Sequence, residues 1–303
     1  MEQKAGFKRK TIEKIIRAKV DQWLKSITDE GLRREIKHDY LLSGGAIASM
    51  LLGDAPNDFD FYFQTTSVAA KVANYYVNKF KEEQKDKGID AYSNVTVIEG
   101  DARVHIKAKS IGVLEDGGEG SEYQYFEMLP PKDLESYLHN IEEKKAKKDF
   151  KVAFLSENAI TLYGGVQIII RFCGDASVIH KNFDFAHCMQ YFTEDDGLVL
   201  NVDSLVSLMA RELKYVGSLY PICSLFRIRK FLQRGFTITA GEILKISYDV
   251  NQLDLNDFTV LRDQLVGMDA AYFNEILRIL QADSTKEIDR TYLVSIIDKV
   301  FDE

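Results

Sequence analysis

Residues 44–61 have the sequence GGAIASMLLGDAPNDFDF, and their pattern predicts the core of the fold. Two adjacent glycines are followed by a short apolar run, by Gly53 and the turn-forming segment DAPN, and then by acids that alternate with aromatic residues. The apolar run predicts a short helix that ends at Gly53, and the alternation predicts a half-buried strand. Because strand side chains alternate between two faces, we expect Asp58 and Asp60 to lie on the same face.

The glycines and the acids together predict a site for a phosphate and a metal ion. Gly44 and Gly45 let the main chain approach a phosphate without a Cβ atom in the way, and they open a helix whose free N–H groups favour an anion. On a strand, the Cα atoms of Asp58 and Asp60 would be about 6.5–7 Å apart. That separation suits two carboxylates that bind one Mg²⁺ ion or a pair of ions. The pattern therefore indicates phosphoryl or nucleotidyl transfer.

This stretch resembles the hallmark of the DNA polymerase β-like nucleotidyltransferase superfamily, and most closely that of the tRNA CCA-adding enzymes and bacterial poly(A) polymerases. Their hallmark is Gly-Gly, two hydrophobic residues, Arg-Asp, a short helix, Gly, a turn and Asp-hydrophobic-Asp, and this chain matches its length without a gap. The resemblance implies that Asp58 and Asp60 are catalytic residues that bind two Mg²⁺ ions, or Mn²⁺. It also implies that Gly44 and Gly45 bind the triphosphate of ATP or another nucleoside triphosphate.

The implied reaction moves a nucleoside monophosphate to an acceptor hydroxyl, at an RNA 3′ end by analogy with that branch. Ser43 is a further candidate for nucleotide binding, because its hydroxyl precedes the two glycines. One difference from the hallmark is that Ala48-Ser49 replaces Arg-Asp. This difference favours a rival hypothesis, a catalytically inactive binding or structural protein that kept the fold. A protein-modifying or nucleotide-signal nucleotidyltransferase is a third alternative.

A second similarity lies at residues 221–238, with the sequence PICSLFRIRKFLQRGFTI. Enzymes of that branch follow the catalytic domain with a helix that runs from a proline through several arginines to Gly-Phe. By this resemblance, Arg227 and Lys230 are candidates for binding the triphosphate or a polynucleotide backbone. The segment is also simply amphipathic, and a structural helix explains it equally well. Residues 156–191 look like segments of phage and large DNA virus proteins.

Many members of the superfamily use a third carboxylate on a neighbouring strand. Asp184 is the candidate catalytic acid here, although it can equally cap a helix predicted over 185–192. Asp101 and Glu99 are further candidates, whereas the neighbouring strand offers only Gln167, a poor metal ligand. Without a third acid, the CCA-adding branch remains the better comparison because it relies chiefly on the paired aspartates.

Periodicity places the remaining elements and predicts an α/β (α+β) fold, a palm-like mixed sheet flanked by helices and followed by an all-helical domain. The predicted domains are a helical segment at 1–39, a catalytic domain at 40–200 and a helical domain at 201–303. The first predicted element is a helix whose apolar positions run from Ile12 to Ile27 and which ends near Gly31. It is followed by a helix over 67–85 capped by Ser67, strands at 94–99 and 103–108, a loop at 115–122, a charged helix over 132–149, and two strands within 151–172 joined around Gly164-Gly165. Further helices are predicted at 202–216, 221–234, 239–247, 258–266, 270–281 and 289–301. Val166, Ile168, Ile170 and Phe172 are expected on one face.

Composition sets limits on the function. The chain has 303 residues and a net charge of −8, which argues against a protein that coats nucleic acid. It has no long apolar run and no signal-like N-terminus, so we expect no membrane partner and a cytoplasmic location. Three scattered cysteines favour a reducing compartment. His180, His187, Cys173 and Cys188 have no compact zinc spacing. The oligomeric state does not follow from the sequence.

Overall fold

The computed structural model describes residues 5–56, 58–86, 93–113, 119–125 and 149–255, together with eight isolated residues between 257 and 295. For residues 108–113 and 119–125 it describes the backbone alone. The charged helix predicted over 132–149 lies outside the described residues except for Asp149, and the helices predicted beyond residue 257 lie outside them except for isolated positions.

The described chain divides into two compact units. Among the described residues, the first contains those up to residue 125 together with 149–180 and 188–204, and the second contains 181–187 and those from residue 205 onward. None of the described helices is long and apolar enough to cross a membrane.

The N-terminal segment forms two helices where the sequence predicted one. Helix α1, Arg9–Ser26, is followed by α2, Glu30–Asp39. The chain is extended at Ile27, and the side chain of Asp29 accepts a hydrogen bond from the backbone N–H of Leu32, so that a new helix begins before Gly31. The prediction of a single helix ending near Gly31 was therefore wrong, because the Asp29 cap was not recognised.

The first unit continues with strands and helices around one large sheet. In chain order these are β1 Tyr40–Ser43, α3 Gly45–Leu51, β2 Phe59–Phe63, α4 Thr66–Asp86, β3 Val95–Glu99, β4 Val104–Val113, β5 Glu119–Tyr125, β6 Val152–Leu155, β7 Ala159–Leu162, β8 Val166–Cys173, α5 Ala176–His180, β9 Tyr191–Thr193 and β10 Gly197–Val199. Seven of the described strands form a sheet in the order β10-β9-β1-β2-β8-β7-β6, and β3, β4 and β5 form a second sheet. Only the β2–β8 pairing within the large sheet is parallel among these described strands, so the predicted mixed sheet is confirmed.

Two adjacent cross-strand rows show how this sheet separates core from surface. The first row is apolar and has no exposed surface; it consists of Leu198, Phe192, Leu42, Phe61, Ile168 and Ile160. It packs against the helices, and the ring centroids of Trp23 and Phe61 are 4.6 Å apart. The next row is more polar, and every member but Ser43 is partly exposed; it consists of Val199, Tyr191, Ser43, Asp60, Gln167 and Thr161. Since cross-strand neighbours share a face, this second row lies opposite the core.

Several local predictions need correction. The first of the two strands predicted in 151–172 is a hairpin of β6 and β7, and residues 119–122 of the predicted loop lie in β5. In β8 the alternation of burial changes after Ile170, so that Phe172 is partly exposed while Cys173 is buried. Here the register of β8 against β2 also shifts. Ser67 does not cap α4, since the hydroxyl of Thr65 accepts the hydrogen bond from Val68 N–H.

The described part of the second unit contains helices and one pair of short strands. Its elements are the end of α6 Val202–Ala210, β11 Glu212–Leu213, α7 Pro221–Gln233, β12 Thr237–Ile238 and α8 Ala240–Val250, with β11 and β12 paired in parallel. The helix predicted over 202–216 ends at Ala210 because Arg211 adopts a positive φ of 51°. The helix predicted over 185–192 was wrong, because a 3₁₀ turn at Ala186–Cys188 and strand β9 occupy that stretch.

Candidate nucleotide-binding site

Asp60 lies on the sheet face opposite the core, and Asp58 directly precedes strand β2. Phe59 and Phe61 are 4% and 0% exposed and pack into the core, whereas Asp60 between them and Asp58 before them are partly exposed. Asp60 is paired with Ser43 of β1 on one side and with Gln167 of β8 on the other. The alternation along β2 therefore turns the Asp60 carboxylate away from the apolar row.

Gly44 makes room for one of these carboxylates. Its φ of 101° lies in a region that L residues rarely adopt, and a Cβ atom built on it would be 3.0 Å from Oδ2 of Asp60. Its N–H group donates to the carbonyl oxygen of Cys188 at 3.2 Å. Gly44 thus allows a close approach to Asp60, while its own N–H group is already used within the protein.

Gly45 has different surroundings. It is the first residue of α3, it is partly exposed, and no heavy atom lies within 4 Å of the position of an added Cβ atom. Of the two glycines, Gly45 is the one whose side-chain position faces open space.

The two residues that replace the Arg-Asp pair of the hallmark, Ala48 and Ser49, are buried. Ala48 and Ser49 are 4% and 6% exposed, and the carbonyl oxygen of Ser49 accepts a hydrogen bond of 2.9 Å from the N–H group of Asp54. Both small side chains are buried, and neither carries a charged group.

Ser43 is fully buried, and its hydroxyl already has protein partners. Its Oγ atom is 2.9 Å from Nε2 of His180, 2.8 Å from the carbonyl oxygen of Gln190 and 3.4 Å from that of Cys188. A contact of this hydroxyl with a phosphate would require an exchange of partners. Ser43 therefore contributes hydrogen bonds within the protein at the residue before the glycine turn.

His180 lies next to the site, although no sequence motif predicts its position there. Burial lowers the pKa of His180 to about 4, so its imidazole is neutral at physiological pH. Its ring makes an edge contact with Tyr191, at 5.9 Å between centroids. His180 and Ser43 are 137 positions apart, and no spacing in the sequence links them.

Three further candidates, Asp184, Arg227 and Lys230, lie in the second unit, whereas Glu99 and Asp101 lie in the first. Arg227 Nη1 and Asp184 Oδ2 form an ion pair of 2.6 Å, and Lys230 is exposed on α7. The candidate third acid and a candidate triphosphate ligand are thus bound to each other. Within the part of the chain that the structure describes, no group of three or more His, Cys, Asp or Glu residues is arranged to hold a metal ion.

The donor set fits one kind of metal site. Mg²⁺ is commonly held by one or two carboxylates together with substrate phosphates and water. Asp58 and Asp60 supply two partly exposed carboxylates, and Gln167, not an acid, is the neighbour of Asp60 on β8. These residues fit an ion that arrives with a polyphosphate better than one held by the protein alone.

The fold thus combines a mixed sheet with a glycine turn, a short helix and a central strand that carries Asp60. The chain belongs to the Gabija anti-defense 2 family, whose model, described as "Gabija anti-defense 2 family protein", matches residues 14–211. It is 30% identical over 141 residues to the protein named "Gabija anti-defense 2" of Bacillus phage SPbetaL7. That alignment covers 45% of this chain and 34% of the phage protein, so the chain matches about a third of the relative's length.

Solved structures of CCA-adding enzymes are similar to this chain at low identity. The Thermotoga maritima enzyme complexed with tRNA is 15% identical with a TM-score of 0.40, and the match covers 87% of this chain and 54% of that one. The Bacillus stearothermophilus enzyme in complex with CTP is 11% identical with a TM-score of 0.38, covering 86% and 51%. This chain thus spans about half the length of those enzymes, and at these scores the likeness says nothing about activity.

Proposed function

We propose that this protein is a metal-dependent nucleotidyltransferase that a phage uses against the defence for which its family is named. The observation that supports the proposal best is the contact between the glycine turn and the acid. Gly44 adopts a conformation reserved for glycine, and it does so where a side chain would press on the carboxylate of Asp60. This arrangement keeps a carboxylate accessible beside the open backbone at Gly45.

Each residue has a defined part in the proposed reaction. Asp58 and Asp60 would hold Mg²⁺, and the open backbone at Gly45 would leave space for the triphosphate. When bound, Mg²⁺ supplies neutralisation of phosphate charge and a lowered pKa for the attacking hydroxyl. In the overall reaction the acceptor hydroxyl releases its proton to solvent, its oxygen forms a bond to the α-phosphorus, the α–β anhydride bond breaks, and pyrophosphate leaves.

The proposed acceptor is the hydroxyl of an RNA 3′ end, which the motif resemblance favours. The family name adds a second source of hydroxyls, since a counter-defence enzyme can modify a protein of the defence directly. Both acceptors use the same chemistry at the same carboxylates, so they differ only in which macromolecule becomes labelled.

The test uses nucleoside triphosphates labelled at the α-phosphate. The protein is incubated with each triphosphate, Mg²⁺ and either total RNA or an extract of cells that carry the Gabija system. We expect Mg²⁺-dependent label in one macromolecule and none with the D58A/D60A variant. Equal labelling by the variant would contradict the proposal.

A second candidate function is an inactive module that acts by binding. Two observations favour it: Ala48 and Ser49 are buried where the hallmark has Arg-Asp, and the described residues contain no third carboxylate beside Asp58 and Asp60. Phage plaquing on a Gabija strain that expresses each variant separates the candidates. An enzyme loses its protective effect in D58A/D60A, whereas a binding module that does not use these acids keeps it.

A further inference from the structure

We infer that His180 is a positioning residue, which holds the glycine turn in the conformation that binds a polyphosphate beside Asp60. This inference rests on the proposed function, because it assigns a role to a residue that supports the same site. It concerns the hydrogen bond between the imidazole of His180 and the hydroxyl of Ser43.

The hydrogen-bond partners of Ser43 fix the direction of that bond. Ser43 has one hydroxyl proton, and the carbonyl oxygen of Gln190 at 2.8 Å can only accept it. The hydroxyl therefore donates to Gln190, and His180 must donate its Nε2–H to the Oγ atom of Ser43 at 2.9 Å. This assignment makes His180 a neutral donor with its proton on Nε2.

The contact reaches the site through the backbone. Ser43 lies opposite Asp60 in the register of β1 and β2, and the residue after it is Gly44. Gly44 is in turn held by the carbonyl oxygen of Cys188, and it leaves only 3.0 Å between an added Cβ position and Oδ2 of Asp60. A small rotation of the Ser43–Gly44 backbone would therefore change the space available at the carboxylate.

The hydroxyl of Ser43 does not need His180 to satisfy its proton, since Gln190 accepts it. The additional bond from His180 restricts the rotation of the hydroxyl and fixes the end of β1. A residue that only filled space at this position would not have to present a donor to Oγ. A variant that keeps a donor at this position and one that lacks it therefore distinguish the two roles.

The test compares binding of Mg·ATP and of magnesium tripolyphosphate by calorimetry. H180A removes the donor, whereas H180Q keeps an Nε2–H donor on a chain of similar reach. We expect H180A to raise the dissociation constant for both ligands about three- to tenfold, the effect of one neutral hydrogen bond, with a stoichiometry near one. We expect H180Q to stay within about twofold of the wild type. The H38A variant, at an exposed histidine, should bind as the wild type does.

Four outcomes would overturn the inference. Unchanged binding by H180A shows that the donor is not needed. Equal weakening in H180A and H180Q shows a packing role instead, and so does a reduced stoichiometry at an unchanged dissociation constant. If the wild type binds neither ligand, the proposed function fails and the positioning role fails with it, a result distinct from the other three.

Discussion

Two neighbouring glycines at the start of α3 have different physical requirements. Gly44 has a φ of 101° and faces Oδ2 of Asp60, whereas Gly45 begins the helix and faces open space. The sequence predicts the same role for both, as residues that let the backbone approach a phosphate. The structure separates them into one residue that shapes the site and one that leaves it open.

This difference predicts opposite effects of the same substitution on stability. G44A should lower the free energy of unfolding by about 1–3 kcal/mol, because alanine is strained at a positive φ and its methyl group presses on the carboxylate. G45A should leave stability unchanged or raise it by up to about 1 kcal/mol, because alanine favours a helix over glycine. Urea unfolding of both variants measures the two effects, and equal changes would contradict this assignment.

At the scale of elements, the motif could be predicted because its determinants are local. The apolar run from Ala46 to Leu52, Gly53 and the alternation of acids and aromatic residues specify α3 and β2 within one short stretch. Strand β9 could not be predicted in this way. It has three residues, and its pairing with β1 is made by residues that lie about 150 positions away in the chain, so only the folded sheet defines it.

The same limit applies to the candidate site. Asp58, Asp60 and the two glycines lie within one motif, and adjacent elements bring Gly44 close to Asp60. The contact of His180 with Ser43 and that of Arg227 with Asp184 join distant segments. Sequence reasoning identified Asp184 and Arg227 as separate candidates, but only coordinates show that they bind each other.

The ion pair on α7 predicts a clear difference between two basic residues. Asp184 is 9% exposed, so R227A leaves a buried carboxylate without this partner and should destabilise the protein by about 1–3 kcal/mol. K230A changes an exposed residue of the same helix and should shift stability by less than about 0.5 kcal/mol. Urea unfolding gives both values.

The control for this prediction is D184N, alone and combined with R227A. If the pair is the cause, the double variant is less destabilised than the sum of the two single variants. Additive losses would show that Arg227 acts through other contacts.

At the scale of the whole molecule, a buried histidine makes stability depend on pH. His187 is 2% exposed among Phe185, Phe231 and Phe236, and its Nδ1 atom has no hydrogen-bond partner among the residues that the structure describes. Burial lowers its pKa to about 4, with nearby Arg234 acting in the same direction and Asp184 opposing it. The folded protein thus keeps this imidazole neutral at a pH where the unfolded chain protonates it.

The difference between the pKa of His187 in the folded protein and in the unfolded chain determines how stability changes with pH. The stabilisation is complete above the unfolded pKa of about 6.5, and it is lost as the pH falls towards 4, because only the unfolded state takes up the proton. Between pH 7 and pH 5 the loss from His187 should be about 2 kcal/mol.

Urea unfolding at a series of pH values tests this effect. The H187L variant, of similar size and without a titrating group, should lose less stability than the wild type between pH 7 and pH 5. His180 titrates in the same direction, so the slope should be reduced and not abolished. Identical slopes in the two proteins would contradict the assignment.

The proposed function requires Asp58 and Asp60 to bind a metal ion together with a polyphosphate. Calorimetry of ATP binding, in Mg²⁺ and in EDTA, tests this on the wild type, on D58N/D60N and on D86N, which changes an exposed acid at the end of α4. We expect Mg²⁺-dependent binding by the wild type and D86N, and binding at least about tenfold weaker in the double variant. No binding by the wild type, or equal binding by the double variant, would contradict it.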